Sequence, residues 1–537
     1  MECDLWNHPF SCAHYMTFLH QYKNRKSWPQ NVRLYVLAII SGVALICSFP
    51  KYGVGWVAWF ALVPLLLAVR AITMPLKAAM VGFVTGFVFY LGILYWLSPV
   101  VITYGNLPYW LGVLALVLLS VYLSLYFACF AAGLVYLRER GFAEFITAPL
   151  LWVCLEFLKT ILFSGFPWEN LAYSQYQFLT IIQFSDITGT YGVSFLLVLM
   201  NAIQADIFME GKKRKRVFLE MIFGCIILFI LLAYGMFSLN RVSAELNRAE
   251  ALEVSLIQGN IDQNTKWNSS YQQGTVDIYR ALSLKNAPVG EGLIVWPETA
   301  MPFFFRDNRS FTPQVHSVVK LASDWLLFGS PSYQKDGERI WYMNSAFLLA
   351  PNGGMVGKYD KVHLVPYGEY VPLRTFFPFL DKLVEGVGDF KKGDNITPLP
   401  LGKHALGVLI CYEGIFPWIS REYKKKGSGL LVNITNDAWF GPTSAPYQHL
   451  SMTVFRAVEN RTFLLRAANT GISAIISPTG AIVKQTELFK RTALKGSIKF
   501  LDRKTIYTLY GDIFTYVCLI LLGLIILTAK KGARDYV

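Results

Sequence analysis

Charge is scarce in this 537-residue chain. Asp, Glu, Lys and Arg make up 16% of it and hydrophobic residues 54%, where about 25% charge is usual for a soluble protein. That shortage argues against a wholly water-soluble chain and points to lipid. Lys and Arg are missing altogether from 99–108 and 164–187. Cysteine is nearly absent from 240–511: of eight in the chain, Cys411 alone lies there, so no disulfide within that region is expected. The seven histidines show no HExxH spacing and the cysteines no CxxC pair, so neither metal nor cofactor is expected. No repeat or low-complexity tract stands out. The first apolar stretch lacks a clear small-residue cleavage site and reads as a signal anchor.

Long apolar runs are present instead. They lie near 33–49, 54–70, 76–98, 109–136, 147–163, 188–209, 217–239 and 512–529, and crossing a bilayer takes about 20 residues. The first two are short and joined by "PKYG", so a re-entrant pair is the alternative to two crossings. The net charge of +14 is gathered in short blocks between these runs, "KNRK" (23–26), "KKRKR" (212–216) and a C-terminal "AKKGAR", which speaks against a nucleic-acid partner. With the N-terminus cytoplasmic, Arg70 and Lys77, then Arg138 and Arg140, then "KKRKR" and the tail all fall inside. The connections without Lys or Arg fall outside. Eight crossings satisfy that rule at every loop, with 240–511 extracytoplasmic. The expected division is a cytoplasmic extension (1–32), a membrane domain of seven crossings (33–240), a catalytic domain (241–505), and an eighth crossing with a cytoplasmic tail (506–537).

Between 240 and 511 the texture changes to strand-like runs at 252–260, 291–299, 325–333, 344–354, 404–413, 428–437 and 470–480. Helical patterns intervene at 312–323 and 445–460, which predicts one sizeable α/β domain.

Within that domain "LICYEG" (409–414) places Cys411 at a strand end, where strand-borne nucleophiles are displayed. A lone Cys packs as an inert small hydrophobe unless its neighbours activate it. A thiol with a pKa of about 8.5 needs a base near neutrality. "IVWPET" offers Glu298 behind Trp296 and Pro297, either a water-exposed strand-end acid or a proton acceptor in an aromatic pocket. "KYDKVHLVPYGEY" (358–370) offers Lys361, either solvated or aimed at a developing oxyanion, with Glu369 eight residues on.

"WPE", "YDKVHLVP" and "CYE", in this order, resemble the Glu-Lys-Cys triad of the nitrilase (carbon–nitrogen hydrolase) superfamily. With seven runs before and one after, the chain from about residue 34 onward resembles the bacterial apolipoprotein N-acyltransferase family. Further matching motifs are "GFPWENLAYSQ" (165–175), "QGNIDQNTKW" (258–267), "LVPYGEYVP" (364–372), "NDAWFG" (436–441) and "RAVENRTFLLRAANTG" (456–471). The resemblance implies a four-layer αββα catalytic domain with Glu298 as general base, Lys361 as oxyanion stabiliser and Cys411 as nucleophile. It carries supporting or substrate-binding roles to Trp267, Glu369, Tyr412, Glu413, Trp439, Trp168 and Gly165. Thr462 stands where the family often has Pro, and Lys159 where its membrane motif usually has Arg; the extension 1–32 lies outside the pattern.

The implied reaction moves a fatty acyl chain from a phospholipid, phosphatidylethanolamine being the expected donor, through a Cys411 thioester to the α-amino group of a diacylglyceryl apolipoprotein. It implies a monomer in the bacterial inner membrane with both termini cytoplasmic. Two rivals are a membrane-tethered amidase and a non-catalytic scaffold. Trp267, Trp439, Tyr412, the loop 166–168 and "PFFF" (302–305) are candidates for a hydrophobic rim shielding a thioester, with interfacial anchoring as the alternative. Glu156 and Lys159, one helical turn apart, are either functional intramembrane charges or a helix-locking ion pair. His363 is expected to pack beside Lys361.

Overall fold

The computed structural model describes residues 29–105, 107–208, 214–370 and 390–532. The extension 1–28 with Cys3 and Cys12, and parts of "KKRKR", "LVPYGEYVP" and the C-terminal tail, lie outside the described residues.

Among the described residues six helices are long and apolar enough to cross a membrane, with spans Asn31–Ser48, Pro75–Ile93, Tyr109–Arg138, Glu144–Ser164, Thr190–Phe208 and Lys215–Arg248. Two further apolar segments, Gly55–Arg70 and Ile513–Thr528, are shorter. The run expected over 54–70 is split into a 3₁₀ turn, Gly55–Trp59, and a helix, Val63–Arg70. Pro64 starts that helix without needing an N–H partner. The run expected over 76–98 ends at Ile93, and a separate helix, Leu97–Tyr104, occupies part of the expected connection.

The helix Arg214–Arg248 leads directly into the α/β region. The twelve strands among its described residues are β1 (Ala251–Gln258), β2 (Leu293–Val295), β3 (Trp325–Asp336), β4 (Arg339–Leu349), β5 (Met355–Asp360), β6 (Leu399–Leu401), β7 (His404–Ile410), β8 (Leu430–Thr435), β9 (Phe463–Ala468), β10 (Ala474–Ile476), β11 (Ile482–Gln485) and β12 (Thr492–Lys499). They form two six-stranded sheets, ordered β12-β1-β2-β3-β4-β5 and β11-β10-β9-β8-β7-β6. The centre of each is parallel: β1, β2 and β3 in one, β7, β8 and β9 in the other.

Alternation along the strands sorts the first sheet's side chains to its two faces. Val254, Leu256, Val295 and Leu327 join the apolar cluster that holds Val408, Ile410 and Val432 of the second sheet. Ile257, Ile294, Trp296 and Phe328 face the other way, onto the helices Ser269–Lys285 and Thr312–Ala322. The first cluster continues without a break into the membrane helices, through Trp96, Trp168, Phe89 and Leu45.

Candidate active site

Carboxyl ends of parallel strands are where open α/β sheets display reactive groups. Glu298 follows β2, Cys411 follows β7 directly, and Asn436 and Asp437 follow β8. Lys361 is the residue after β5, its N–H bonded to the Asn344 carbonyl at 2.9 Å. Cys411 sits at φ 51° and opens a tight 3₁₀ turn, Cys411–Ile415. A non-glycine residue in this left-handed region is strained, and such strain concentrates at functional sites.

Glu298, Lys361 and Glu369 are all buried. Lys361 Nζ lies 2.9 Å from Glu369 Oε2 and 4.0 Å from Glu298 Oε1. Asn344 Nδ2 donates to both carboxylates, at 2.7 Å to Glu298 and 3.0 Å to Glu369. The Asn436 N–H donates to the second Glu298 oxygen at 2.9 Å. Burial alone lowers a lysine, yet Glu369 and then Glu298 outweigh it and hold Lys361 above its ordinary range. Burial, then the Glu298 charge, push the Cys411 thiol upward against the pull of Lys361. The resting sulfur is therefore a protonated thiol. A carboxylate beside it supplies a place for that proton, and a fixed ammonium supplies positive charge where an oxyanion forms.

Glu413 does not touch Lys361 by a hydrogen bond. It accepts from the N–H groups of Ile410 (2.7 Å), Val362 (2.7 Å) and His363 (3.1 Å) and from the Tyr359 hydroxyl (2.9 Å), so it ties the Cys411 turn to the Lys361 segment. Burial raises it to about 7, against those hydrogen bonds. His363 packs on Phe416 at a tilt of 43°, ring centres 3.9 Å apart, and burial lowers it to about 4, so it stays neutral.

The turn is docked on the membrane helices. The Tyr412 hydroxyl reaches the Gly165 carbonyl at 3.4 Å. Trp168 and Trp96 both donate to Gln448 Oε1, at 2.9 and 3.0 Å, while Gln448 Nε2 donates to the carbonyls of Pro50 and Ile93 at 3.2 and 3.1 Å. Trp439 stacks edge-on against Tyr104, whose hydroxyl donates to the Ala438 carbonyl. Trp267 and Trp439 remain 52% and 38% exposed, as rim residues would be. "PFFF" is neither rim nor anchor over most of its length. Phe303 and Phe305 are core residues packed on Phe311 and on Phe328 and Phe347. The run follows a strand end whose apolar side chains fold back under the sheet.

Glu156 and Lys159 form no mutual ion pair among the described residues. Each instead pins the segment after their helix. Glu156 accepts from the Leu171 N–H at 2.7 Å, and Lys159 donates to the Trp168 carbonyl at 3.4 Å and to the Tyr90 hydroxyl at 3.3 Å. Gly165 within that segment has φ 84°, and a Cβ there would lie 2.0 Å from the Thr160 carbonyl oxygen. Gly165→Ala combines a left-handed backbone penalty of about 1–2 kcal/mol with that clash. Its expected result is a thermal midpoint several degrees lower in detergent and slower Cys411 chemistry, measured side by side with the parent.

Sequence reasoning passed over Asn344, Lys266, Asn433, His449 and Arg466. Asn344 opens a strand run, and Lys266 precedes Trp267, so position offered a hint for both. Lys266 is buried, donates to the Glu298 carbonyl at 3.3 Å, and is lowered to about 8 by burial. Nothing in linear order marks the other three, which meet only in three dimensions.

Comparison with known proteins follows the same division. The family described as apolipoprotein N-acyltransferase N-terminal domain matches residues 41–203, and carbon-nitrogen hydrolase matches residues 253–506. An apolipoprotein N-acyltransferase of Geobacter metallireducens is 47% identical over 490 residues, covering 90% of this chain and 93% of its own. One of Methylococcus capsulatus is 32% identical over 485 residues, covering 89% and 92%. Among solved structures, Saccharomyces cerevisiae Nit3, a nitrilase-superfamily member, aligns over 47% of this chain and 90% of its own, with 18% identity and a TM-score of 0.36.

Proposed function

The chain belongs to the apolipoprotein N-acyltransferase family and is an acyltransferase with a carbon–nitrogen hydrolase domain, and from that premise we propose that it N-acylates lipoproteins by a two-step transfer through Cys411. Glu298 takes the thiol proton as sulfur attacks the ester carbonyl of a phospholipid. The tetrahedral oxyanion is held by Lys361 and the backbone N–H after the nucleophile. Collapse breaks the ester C–O bond, Glu298 returns the proton to the leaving alkoxide, and a lysophospholipid departs. In the second step Glu298 takes a proton from the attacking α-amine of a diacylglyceryl cysteine, the amide forms, and the thiolate leaves and is reprotonated. An α-amine with a pKa of about 7.7–8.0 has a usable free-base fraction near neutrality, while a lysine side chain at about 10.4 does not.

The observation that carries this reading is the strained Cys411 turn, placed between a buried acid–lysine pair and a hydrogen bond to the membrane loop at Gly165. Long acyl chains stay in the bilayer at about 0.8 kcal/mol per buried CH₂, so a donor of this kind has to be met at the membrane. The reading extends to phosphatidylethanolamine as donor, a monomer, eight crossings and a four-layer catalytic domain on the periplasmic face of the inner membrane. The six long apolar helices, the two shorter ones and the Lys/Arg-free connections support the topology. The two packed sheets with helices on the outer face of the first support the layering.

Mass spectrometry tests it. Purified protein mixed with phospholipid alone is expected to gain one acyl mass on the Cys411 peptide. A diacylglyceryl-cysteine peptide is then expected to discharge it as amide. Release of free fatty acid or ammonia, with no loaded sulfur, favours the tethered amidase and sinks the transfer.

A further inference from the structure

Around the Cys411 carbonyl lies a buried polar cluster that the two-step transfer does not use. The Cys411 carbonyl accepts from His449 Nε2 at 3.1 Å and from Asn433 Nδ2 at 3.2 Å. His449 Nδ1 faces Arg466 Nη2 at 3.1 Å and Asp437 Oδ1 at 3.2 Å. Asp437 accepts from Arg466 at 2.7 Å and from the Thr435 hydroxyl at 3.0 Å, while the Cys411 carbonyl facing Nε2 can only accept, so Nε2 carries a proton. Arg466 has no proton to spare for loss and its N–H groups only donate. His449 Nδ1 is therefore the acceptor, and its proton sits on Nε2, pointing at the Cys411 carbonyl. Burial and then Arg466 hold His449 below its ordinary range, in agreement with that neutral tautomer.

A peptide unit is planar, and in the trans form its C=O and N–H point in opposite directions. The 411–412 bond is not among the cis bonds of the described residues. Two donors fastening the Cys411 carbonyl on one side therefore fix the direction of the Tyr412 N–H on the other. No group outside the turn itself accepts from that N–H among the described residues. The donors also hold in place a left-handed cysteine that would otherwise relax.

We propose that His449, with Asn433, is a positioning residue that aims the Tyr412 N–H at the oxyanion by gripping the Cys411 carbonyl from behind. This inference rests on the acyl-transfer reading and deepens it. His449 touches neither substrate nor sulfur; it acts through one peptide plane. Arg466 and Asp437 stay paired without it, so the cluster does not collapse when the imidazole is removed.

Two reactions of the same sulfur separate this role from a merely structural one. Acyl loading from phospholipid passes through an oxyanion; alkylation by iodoacetamide does not. His449→Ala is expected to slow loading by about 10²- to 10³-fold, the loss seen when one oxyanion donor is removed, with alkylation within about threefold of the parent. His449→Gln, whose amide can still donate, is expected to recover part of the loading rate. Equal losses in both reactions, or no loss in loading, overturn the inference. Where the alanine variant does not accumulate, His449→Gln and His449→Leu carry the comparison, and a loading-to-alkylation ratio equal in the two overturns it. A parent enzyme that never loads would instead refute the acyl-transfer reading itself.

Discussion

Cys411→Ala is expected to eliminate both the acyl adduct and the transferred product while leaving the protein folded. The substitution removes a single sulfur atom from a half-buried position, a loss of about 1 kcal/mol by the scale of small core truncations. Alanine accepts the φ of 51° no worse than cysteine. Every donor to the turn's backbone and to Glu413 remains in place. The chemistry, by contrast, has no second thiol to turn to among the described residues of the α/β region, since the other described cysteines lie on or beside apolar helices. Intact-mass analysis after incubation with phospholipid and a transfer assay with a lipidated peptide read the two outcomes, and circular dichroism reads the fold. Transfer that survived the substitution would move the covalent step away from Cys411.

The second large effect belongs to Lys361→Met, which differs in kind because it strikes the fold and the rate together. Lys361 lies between the two buried carboxylates of Glu369 and Glu298. Without it, Asn344 bridges two like charges from a single amide. Removing one partner of a buried ionic cluster costs about 3–5 kcal/mol. Loss of the oxyanion contact costs about 10²- to 10³-fold in rate on top of that. The double variant Lys361→Met/Glu369→Gln separates the two, because it removes one of the stranded charges. Most of the lost thermal stability is expected to return while acyl loading stays at the level of the single variant. Recovery of loading along with stability would show that Lys361 serves only as a structural counter-ion.

The membrane helices, the alternating α/β pattern and the helices at 312–322 and 445–460 were legible because each rests on a local period: long apolar runs, or hydrophobic spacing between turn residues. The strand β9 was not. "ENRTFLLRAAN" carries no Gly or Pro to separate it from the preceding helix, and the break falls at Arg461, which turns the chain with a left-handed φ of 47°. Glu298 and Cys411 stood out as strand-end residues beside conspicuous neighbours, and Lys361 through the motif segment 358–370. The structure adds how they are held, which depends on Asn344, Asn436 and Glu369 meeting across sequence distances that no spacing rule reports. The rim is mixed for the same reason. Aromatic residues look alike in a sequence whether they stay partly exposed, as Trp439 does, or fill a core, as Phe305 does.

Gln448 has a consequence for how this protein can be taken apart. One amide on a helix of the α/β domain is shared among Pro50, Ile93, Trp96 and Trp168, four residues on three separate stretches of the membrane domain. A soluble fragment cut after Arg248 would bare that amide and the apolar ground around it. A chimera that swapped the hydrolase-like portion between relatives would have to bring along the matching stretches near 50, 93–96 and 165–168. The heritable module is thus the seam with both its sides, and the domain boundary drawn along the chain is not where the molecule comes apart.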